Sequence, residues 1–368
     1  MGKLGFGMMR LPIVGGTDSV DVETVKAMSD EFLKQGFVYY DTAYGYHNGT
    51  SETVFRDVVA RRYPRGSFAI CTKMPIFSVQ SEEQLSEFFN EQLEKCGVEY
   101  FDNYMLHCIN RMFYQTAQNV NAFPFLAQKK KEGKINNIGF SYHDNAELLE
   151  QILTEHPEVD VVQLQFNYVD IDDIGIESGK CYEIATKHGK KVIVMEPLKG
   201  GVLASVPPEA AALFAGYDPD ASPASWALRY AASFENVEIV LSGMNSMGQL
   251  TENITTMKDP AALNTEEQTI IKKAAEIIKA SISIPCTECR YCVSDCPQNI
   301  AIPEYFTIYN NLRRFEATQK PIAANYYSNL SQVRGKASEC IECGVCEERC
   351  TQRLPIREHL KEVAAAFE

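Results

Sequence analysis

No stretch of the chain approaches the roughly 18 consecutive apolar residues of a membrane-spanning helix, which argues against a membrane protein of the helical kind. Residues 1 to 30 lack a basic segment followed by an apolar core, the pattern of a secretory leader, so the chain is expected to be soluble and cytoplasmic. Long basic runs are missing too. With a formal net charge of -14, their absence argues against nucleic acid or an anionic membrane surface as partner. Only Met1, Gly2 and Lys3 stand before the first apolar run, leaving no segment to close the bottom of a barrel beginning there.

Length and cysteine, by contrast, are plentiful. A chain of 368 residues suggests one large domain and one small one. Eight of the twelve cysteines fall in two short runs, Cys286-Thr-Glu-Cys289-Arg-Tyr-Cys292-Val-Ser-Asp-Cys296 and Cys340-Ile-Glu-Cys343-Gly-Val-Cys346-Glu-Glu-Arg-Cys350. The spacing C-x2-C-x2-C-x3-C puts three thiolates on one tight loop around a cubane face and sends the fourth to the neighbouring cluster. Two 4Fe-4S clusters are the leading reading. Cys286, Cys289, Cys292 and Cys350 would hold one, and Cys340, Cys343, Cys346 and Cys296 the other. Two structural zinc sites are the alternative, although zinc favours paired ligands from each of two knuckles over three cysteines in seven residues. Thiolate ligands also fit a reducing compartment. The first run, with Pro297 after Cys296, resembles the bacterial two-cluster ferredoxin motif; the second departs from it only in Thr351 after Cys350, which leaves the ligands intact.

Upstream of the cysteines, eight short apolar runs alternate with helix-period segments: Leu4 to Met8, Phe37 to Tyr40, Phe68 to Thr72, Asn103 to Leu106, Ile135 to Phe140, Val159 to Leu164, Val192 to Met195 and Val237 to Leu241. That alternation signals βα units and a parallel sheet, and eight units suggest a closed (β/α)8 TIM barrel. Between the first two runs, Val22, Val25, Met28, Phe32 and Leu33 keep the helical period and Gly36 ends it. A capping-box-like start at Asn264 to Glu267 opens a helix that Pro285 stops. The expected division is a barrel over 1–262, a linking helix over 263–284 and a smaller α-rich, ferredoxin-like iron-sulfur domain over 285–368. The 43 residues from 297 to 339, rich in Tyr and Asn, are expected to form helices that dock this domain on the barrel.

In a βα barrel the chemistry sits at the C-terminal ends of the strands. Here the second run closes in Asp41-Thr-Ala-Tyr-Gly-Tyr46, the third in Lys73 and the fourth in His107. With Gly139-Phe-Ser141, Gln163 and Gln249-Leu-Thr-Glu-Asn253, these residues make residues 4 to 260 resemble the aldo-keto reductases, whose Asp, Tyr, Lys, His tetrad matches Asp41, Tyr46, Lys73 and His107 in order. The resemblance implies a small-molecule carbonyl substrate, Tyr46 as proton donor and His107 orienting the carbonyl oxygen. A free tyrosine has a pKa of about 10, and the ammonium of Lys73, held by Asp41, would draw Tyr46 towards the working range. Cys71 and Cys108 read as small core residues.

The cofactor side departs from the family. Tyr142 stands where an asparagine commonly grips the nicotinamide, Met195 where a tyrosine stacks on it, and Gly243 and Gln249 where basic residues hold the 2'-phosphate of NADP. Lys199 offers one replacement charge. The loops Pro197-Leu-Lys199-Gly200-Gly201 and Ser242-Gly243-Met-Asn245 can bring backbone N–H groups to a phosphate of NAD(P) or of FMN. Iron-sulfur clusters pass single electrons whereas a nicotinamide donates a hydride, so a flavin, able to do both, is the other expected cofactor. The leading expectation is a reductase of this type that reduces a carbonyl or related unsaturated group with electrons routed through the two clusters, and with a ferredoxin-like protein as possible donor or acceptor. A flavin-dependent reductase on the same barrel is the second reading, and a non-catalytic electron-transfer or redox-sensing protein the third. Phe113, Tyr114 and Phe214 point to an apolar or aromatic ligand, although loop aromatics just as often pack onto the barrel.

Overall fold

Each of the eight apolar runs becomes a strand of one closed, wholly parallel barrel in the computed structural model, which describes residues 2–15, 17, 19–173 and 176–368, with only the helical backbone over 314–322. The strands are β1 (Leu4–Gly7), β2 (Tyr39–Asp41), β3 (Ala69–Met74), β4 (Phe101–Ile109), β5 (Ile135–Tyr142), β6 (Val161–Gln165), β7 (Lys191–Met195) and β8 (Val237–Gly243). Pairing runs in sequence order and closes where β1 meets β8, Leu4 opposite Val240. The chain divides into two compact units. One comprises Met1–Leu198 and Ala224–Thr265 and holds all eight strands; the other comprises Lys199–Pro223 and Glu266–Glu368.

Side chains alternate along a strand, so every second residue faces the barrel interior. Tyr39, Cys71, Met105, Val161, Ile193, Ile239 and Leu241 have that parity and pack into one buried cluster. The opposite parity, with Phe6, Tyr40, Tyr104 and Phe140, is buried as well. Glycine makes room for the large inward residues. A Cβ on Gly5 would stand 2.7 Å from both Ile239 and Leu241, and one on Gly139 would stand 2.3 Å from the Val161 carbonyl oxygen. Gly139→Ala is therefore expected to lose about 1–3 kcal/mol through overpacking. Gly216, inside the helix Pro208–Tyr217 with open space around it, should gain about 0.4–1 kcal/mol as alanine. Thermal unfolding midpoints that failed to separate the two variants would contradict this packing.

The helix Val22–Lys34 forms where its periodicity predicts. Asp21 caps it by accepting from the Thr24 N–H; Val25, Met28 and Phe32 are buried, and Gly36 follows at φ 88°. The helix Thr265–Ser281, in the second unit from Glu266 on, buries Ile271, Ala274, Ala275 and Ile278. The long helix Ile302–Leu330 lies between the two cysteine runs, and Ile356–Phe367 ends the chain. Their core joins Ile284, Ile300, Tyr305, Phe306, Leu360 and Val363 to Cys292 and Cys346. Among the described residues no helix is long and apolar enough to cross a membrane.

Candidate functional site

Two residues beyond the core cluster, the same parity brings a different chemistry inward. Asp41 follows Tyr39, Lys73 follows Cys71, His107 follows Met105, Ser141 follows Gly139 and Gln163 follows Val161, each by one pleat. The interior thus changes from apolar to polar at one level. Lys73 donates from Nζ to Asp41 Oδ1 at 2.7 Å and to the Thr42 carbonyl at 2.8 Å, and Gln163 donates to Asp41 Oδ2 at 3.1 Å. Lys73 is only 1% exposed. Burial alone would lower its pKa, but the Asp41 carboxylate, with Tyr46 and Cys71, outweighs it and holds the ammonium charged, its pKa raised. The Lys73 ammonium stands 5.2 Å from the centre of the Tyr46 ring. That ring meets His107 edge-on at 5.9 Å, so all four tetrad residues come together. Burial first, then the charge on Lys73, pushes the His107 pKa well down, so a neutral imidazole faces Tyr46.

β4 is irregular where it delivers His107. The register shifts between Leu106 and Ile109, and Cys108 adopts a positive φ of 60°, a conformation that L side chains enter at a cost. Ser141 Oγ accepts the Cys108 N–H at 2.8 Å and pins the irregular turn. Phe77 packs against His107 at 5.6 Å and against Phe113 at 6.0 Å, forming an aromatic wall. Tyr114 does not join it. Its hydroxyl donates to Glu155 and its ring packs on Phe123 and His156.

Sequence reasoning missed the buried network behind β3. Glu52 Oε1 accepts from Thr72 at 2.7 Å and from Gln92 at 2.6 Å, while Lys95 pairs with its other oxygen at 3.0 Å. Gln92 also donates to the Lys73 carbonyl at 3.1 Å and accepts from the Tyr104 hydroxyl, so helix Glu82–Cys96 grips the backbone of the strand that carries the lysine. One signal was available: Gln92 is a polar residue in the apolar stripe Leu85, Phe89, Gln92, Cys96. Asp170 was missed as well; it accepts from Gln165 at 2.8 Å and from Asn167 at 2.7 Å.

The expected cofactor residues fall in both units. Ser141, Gln163, Met195, Gly243, Asn245, Gln249 and Asn253 belong to the barrel. Met195 packs on the inner core cluster. Asn253 donates to Ser242 at 2.9 Å, and Gln249 accepts the Asn245 N–H at 2.8 Å, bracing the loop after β8. Gly243 lies beside Arg10, which pairs with Glu196 at 3.1 Å. Tyr142 turns back to donate to the Asn145 carbonyl. Lys199, Gly200 and Gly201 belong to the second unit, all at positive φ, and a Cβ on Gly200 would stand 2.7 Å from the Thr287 carbonyl oxygen.

The two cysteine runs fold as conformational copies. Positive φ recurs at matched places: Glu288 at 55° and Glu342 at 57°, Arg290 at 67° and Gly344 at 81°, Asn299 at 53° and Arg353 at 52°. Such reversals turn successive N–H groups inward, the geometry of an anion nest. N–H groups already reach sulfur, Glu288 to Cys286 at 3.5 Å and Leu354 to Cys350 at 3.4 Å. Cys296, Cys340, Cys343 and Cys346 together line one cavity, beside Ile341 and Leu360. Among the described residues no three His, Cys, Asp or Glu side chains converge on a single-ion site. Burial, then the nearby Cys289 and Cys350, resists ionisation of Cys286, and burial with Cys289, Cys286 and Cys350 does the same for Cys292. Bound iron would relieve that mutual repulsion, so the donor set suits a cationic cluster core.

Comparison with known proteins divides the chain in the same order. Residues 3–276 match the model of the aldo/keto reductase family, and residues 285–354 match that of the 4Fe-4S dicluster domain. L-galactose dehydrogenase of Arabidopsis thaliana is 26% identical over 293 residues, 73% of this chain and 88% of that protein. Among solved structures, the holo form of an aldo-keto reductase from Bacillus halodurans superposes with a TM-score of 0.60 at 22% identity, covering 74% of this chain and 91% of its own. One from Klebsiella pneumoniae in complex with NADPH gives 0.58 at 16% identity, covering 74% and 90%.

Proposed function

Because the chain belongs to the aldo/keto reductase family and carries a C-terminal 4Fe-4S dicluster domain, we propose that this oxidoreductase reduces the carbonyl group of a small molecule, with Tyr46 as the proton donor. The observation that carries the reading is the buried Lys73–Asp41 pair beneath the Tyr46 ring. A charged ammonium there stabilises the phenolate left when Tyr46 gives up its proton. His107, kept neutral, donates a hydrogen bond to the carbonyl oxygen and fixes its direction.

A nicotinamide, when bound, would supply the hydride. NADPH in the Klebsiella pneumoniae protein supports that choice. Ser141 and Gln163 suit the carboxamide. Ser141 uses its oxygen on the Cys108 N–H and keeps its hydroxyl hydrogen, while Gln163 uses its amide N–H on Asp41 and keeps its carbonyl oxygen. One donor and one acceptor thus remain for a group that needs both. The loop braced by Asn245, Gln249 and Asn253, with the amide of Gly243, is proposed for the phosphates. The eight cysteines, in the crossed sets Cys286, Cys289, Cys292, Cys350 and Cys340, Cys343, Cys346, Cys296, are proposed to hold two clusters.

Acid extraction of protein purified without oxygen tests the cofactor. A nicotinamide dinucleotide in the extract, or tight nicotinamide binding by extracted protein, is the expected result. Released FMN would instead place a flavin on the same barrel, joining one-electron to two-electron chemistry. Extracted protein that binds neither would overturn the reading.

A further inference from the structure

One stripe of the helix Glu82–Cys96 reaches towards both members of the Lys73–Tyr46 pair. Phe88, Glu91, Gln92 and Lys95 recur at the i, i+3, i+4, i+7 spacing of a single helix face. Gln92 serves the lysine. The pairing of β2 with β3 stops at Asp41 opposite Cys71, where the Thr42 N–H donates to the Cys71 carbonyl at 2.9 Å. Two residues on, the Lys73 carbonyl points to the same side, past the end of β2. The Gln92 side-chain amide takes the place of a strand there, donating to that carbonyl at 3.1 Å. Gln92 is fully buried and is itself held, donating to Glu52 at 2.6 Å and accepting from the Tyr104 hydroxyl. The rest of the stripe serves the tyrosine, by way of Tyr44 two residues before it. Phe88 meets the Tyr44 ring edge-on at 5.1 Å, Lys95 Nζ stands 4.1 Å from its centre, and Glu91 accepts from its hydroxyl at 3.2 Å. Lys95 also pairs with Glu52, at 3.0 Å, so the grip on Tyr44 and the grip on Lys73 meet at one buried carboxylate.

We propose that Gln92 and Tyr44 are positioning residues, through which this helix fixes the separation of Lys73 from Tyr46. The inference rests on the reading of Tyr46 as proton donor. The Lys73 ammonium stands 5.2 Å from the centre of the Tyr46 ring, and its pull on the phenol falls with distance. Against the burial that would lower it, Asp41 and then Tyr46 raise the Lys73 pKa, so by reciprocity the ammonium favours the Tyr46 phenolate. Neither Gln92 nor Tyr44 is assigned a part in the proton transfer itself. Each holds the backbone that carries one member of the pair.

Carbon-13 labelling of tyrosine at Cζ reads the ionisation of each phenol by nuclear magnetic resonance in the full-length protein, and the Tyr46 signal is the one lost in Tyr46→Phe. Wild-type Tyr46 is expected to titrate below a free phenol, whose pKa is about 10. Gln92→Met and Tyr44→Leu are each expected to raise that midpoint by roughly half a pH unit, the change for an ammonium receding by about 2 Å at an effective dielectric constant of about 20. Tyr44→Phe keeps the ring against Phe88 and Lys95 and should titrate as the wild type does. Lys73 and His107 face the Tyr46 ring and Asp41 pairs with Lys73; none of the three is altered. A purely structural role would lower the thermal unfolding midpoint and leave the Tyr46 titration in place. An unmoved titration in either Gln92→Met or Tyr44→Leu would therefore overturn the proposal, and so would equal shifts in Tyr44→Phe and Tyr44→Leu. Should the buried change Gln92→Met fail to fold, Tyr44→Leu, on a half-buried residue, carries the test. A wild-type Tyr46 that titrates as a free phenol would instead overturn the reading of Tyr46 itself, and this inference with it.

Discussion

Tyr46→Phe should lower carbonyl turnover by about 10²–10⁴-fold while leaving iron content at its wild-type level, since a positioned general acid contributes rate of that order. On the transition-state scale this amounts to about 3–5 kcal/mol. The substitution removes one oxygen from a half-exposed ring and leaves the edge-on packing against His107 in place. Its effect should therefore fall on kcat, with little change in KM, as expected for an interaction made mainly in the transition state. Lys73→Met is the informative companion. It removes the ammonium beneath the same ring and leaves Asp41 buried without its partner, which costs about 3–5 kcal/mol of stability as well as rate. A loss of activity without a loss of stability in Tyr46→Phe, and of both in Lys73→Met, separates proton donor from positioning group. Undiminished turnover in Tyr46→Phe would remove Tyr46 from the mechanism.

Much of the barrel was legible because a strand buried on both faces reads as a short apolar run. Side chains alternate along it, so the step that leads from Tyr39 to Asp41 and from Cys71 to Lys73 leads from the core to the polar level above it. Asp41, Lys73 and His107 each close an apolar run, and a polar residue at that place stands out. Gln92 and Glu52 were harder to see. They act from helices, and their partners Thr72, the Lys73 carbonyl and Tyr104 lie on two different strands, so no window of sequence contains the network. That Tyr114 and Phe113 part company was hidden for a related reason. Neighbours on a helix point about 100° apart, so only Phe113 can reach Phe77, and Tyr114 turns to Glu155. The irregular backbone at Cys108 has little sequence mark, since cysteine does not favour a positive φ. In the cluster domain the spacing predicts the duplicate, yet not that one copy is sealed at Thr287 and the other open at Ile341.

Pairs of cysteine variants distinguish crossed from local ligation, and their expected effect is the loss of whole clusters. With two 4Fe-4S clusters the wild type should bind about eight iron atoms per chain, and one lost ligand set should remove about four. If Cys350 completes the set of Cys286, Cys289 and Cys292, the double variant Cys289→Ala with Cys350→Ala damages one cluster twice and still retains about four irons. Cys343→Ala with Cys350→Ala then damages both and retains almost none. Local ligation, with each run holding its own cluster, predicts the reverse. Three observations favour the crossed arrangement. Cys289 Sγ lies 3.8 Å from the hydroxyl of Thr351, the residue after Cys350. Cys350 is among the charges that oppose ionisation of Cys286 and Cys292. Cys296 lines the cavity of Cys340, Cys343 and Cys346, the cysteines of the other run. Iron and sulfide analysis of the anaerobically purified double variants decides the matter, and four irons retained by Cys343→Ala with Cys350→Ala would rule the crossing out.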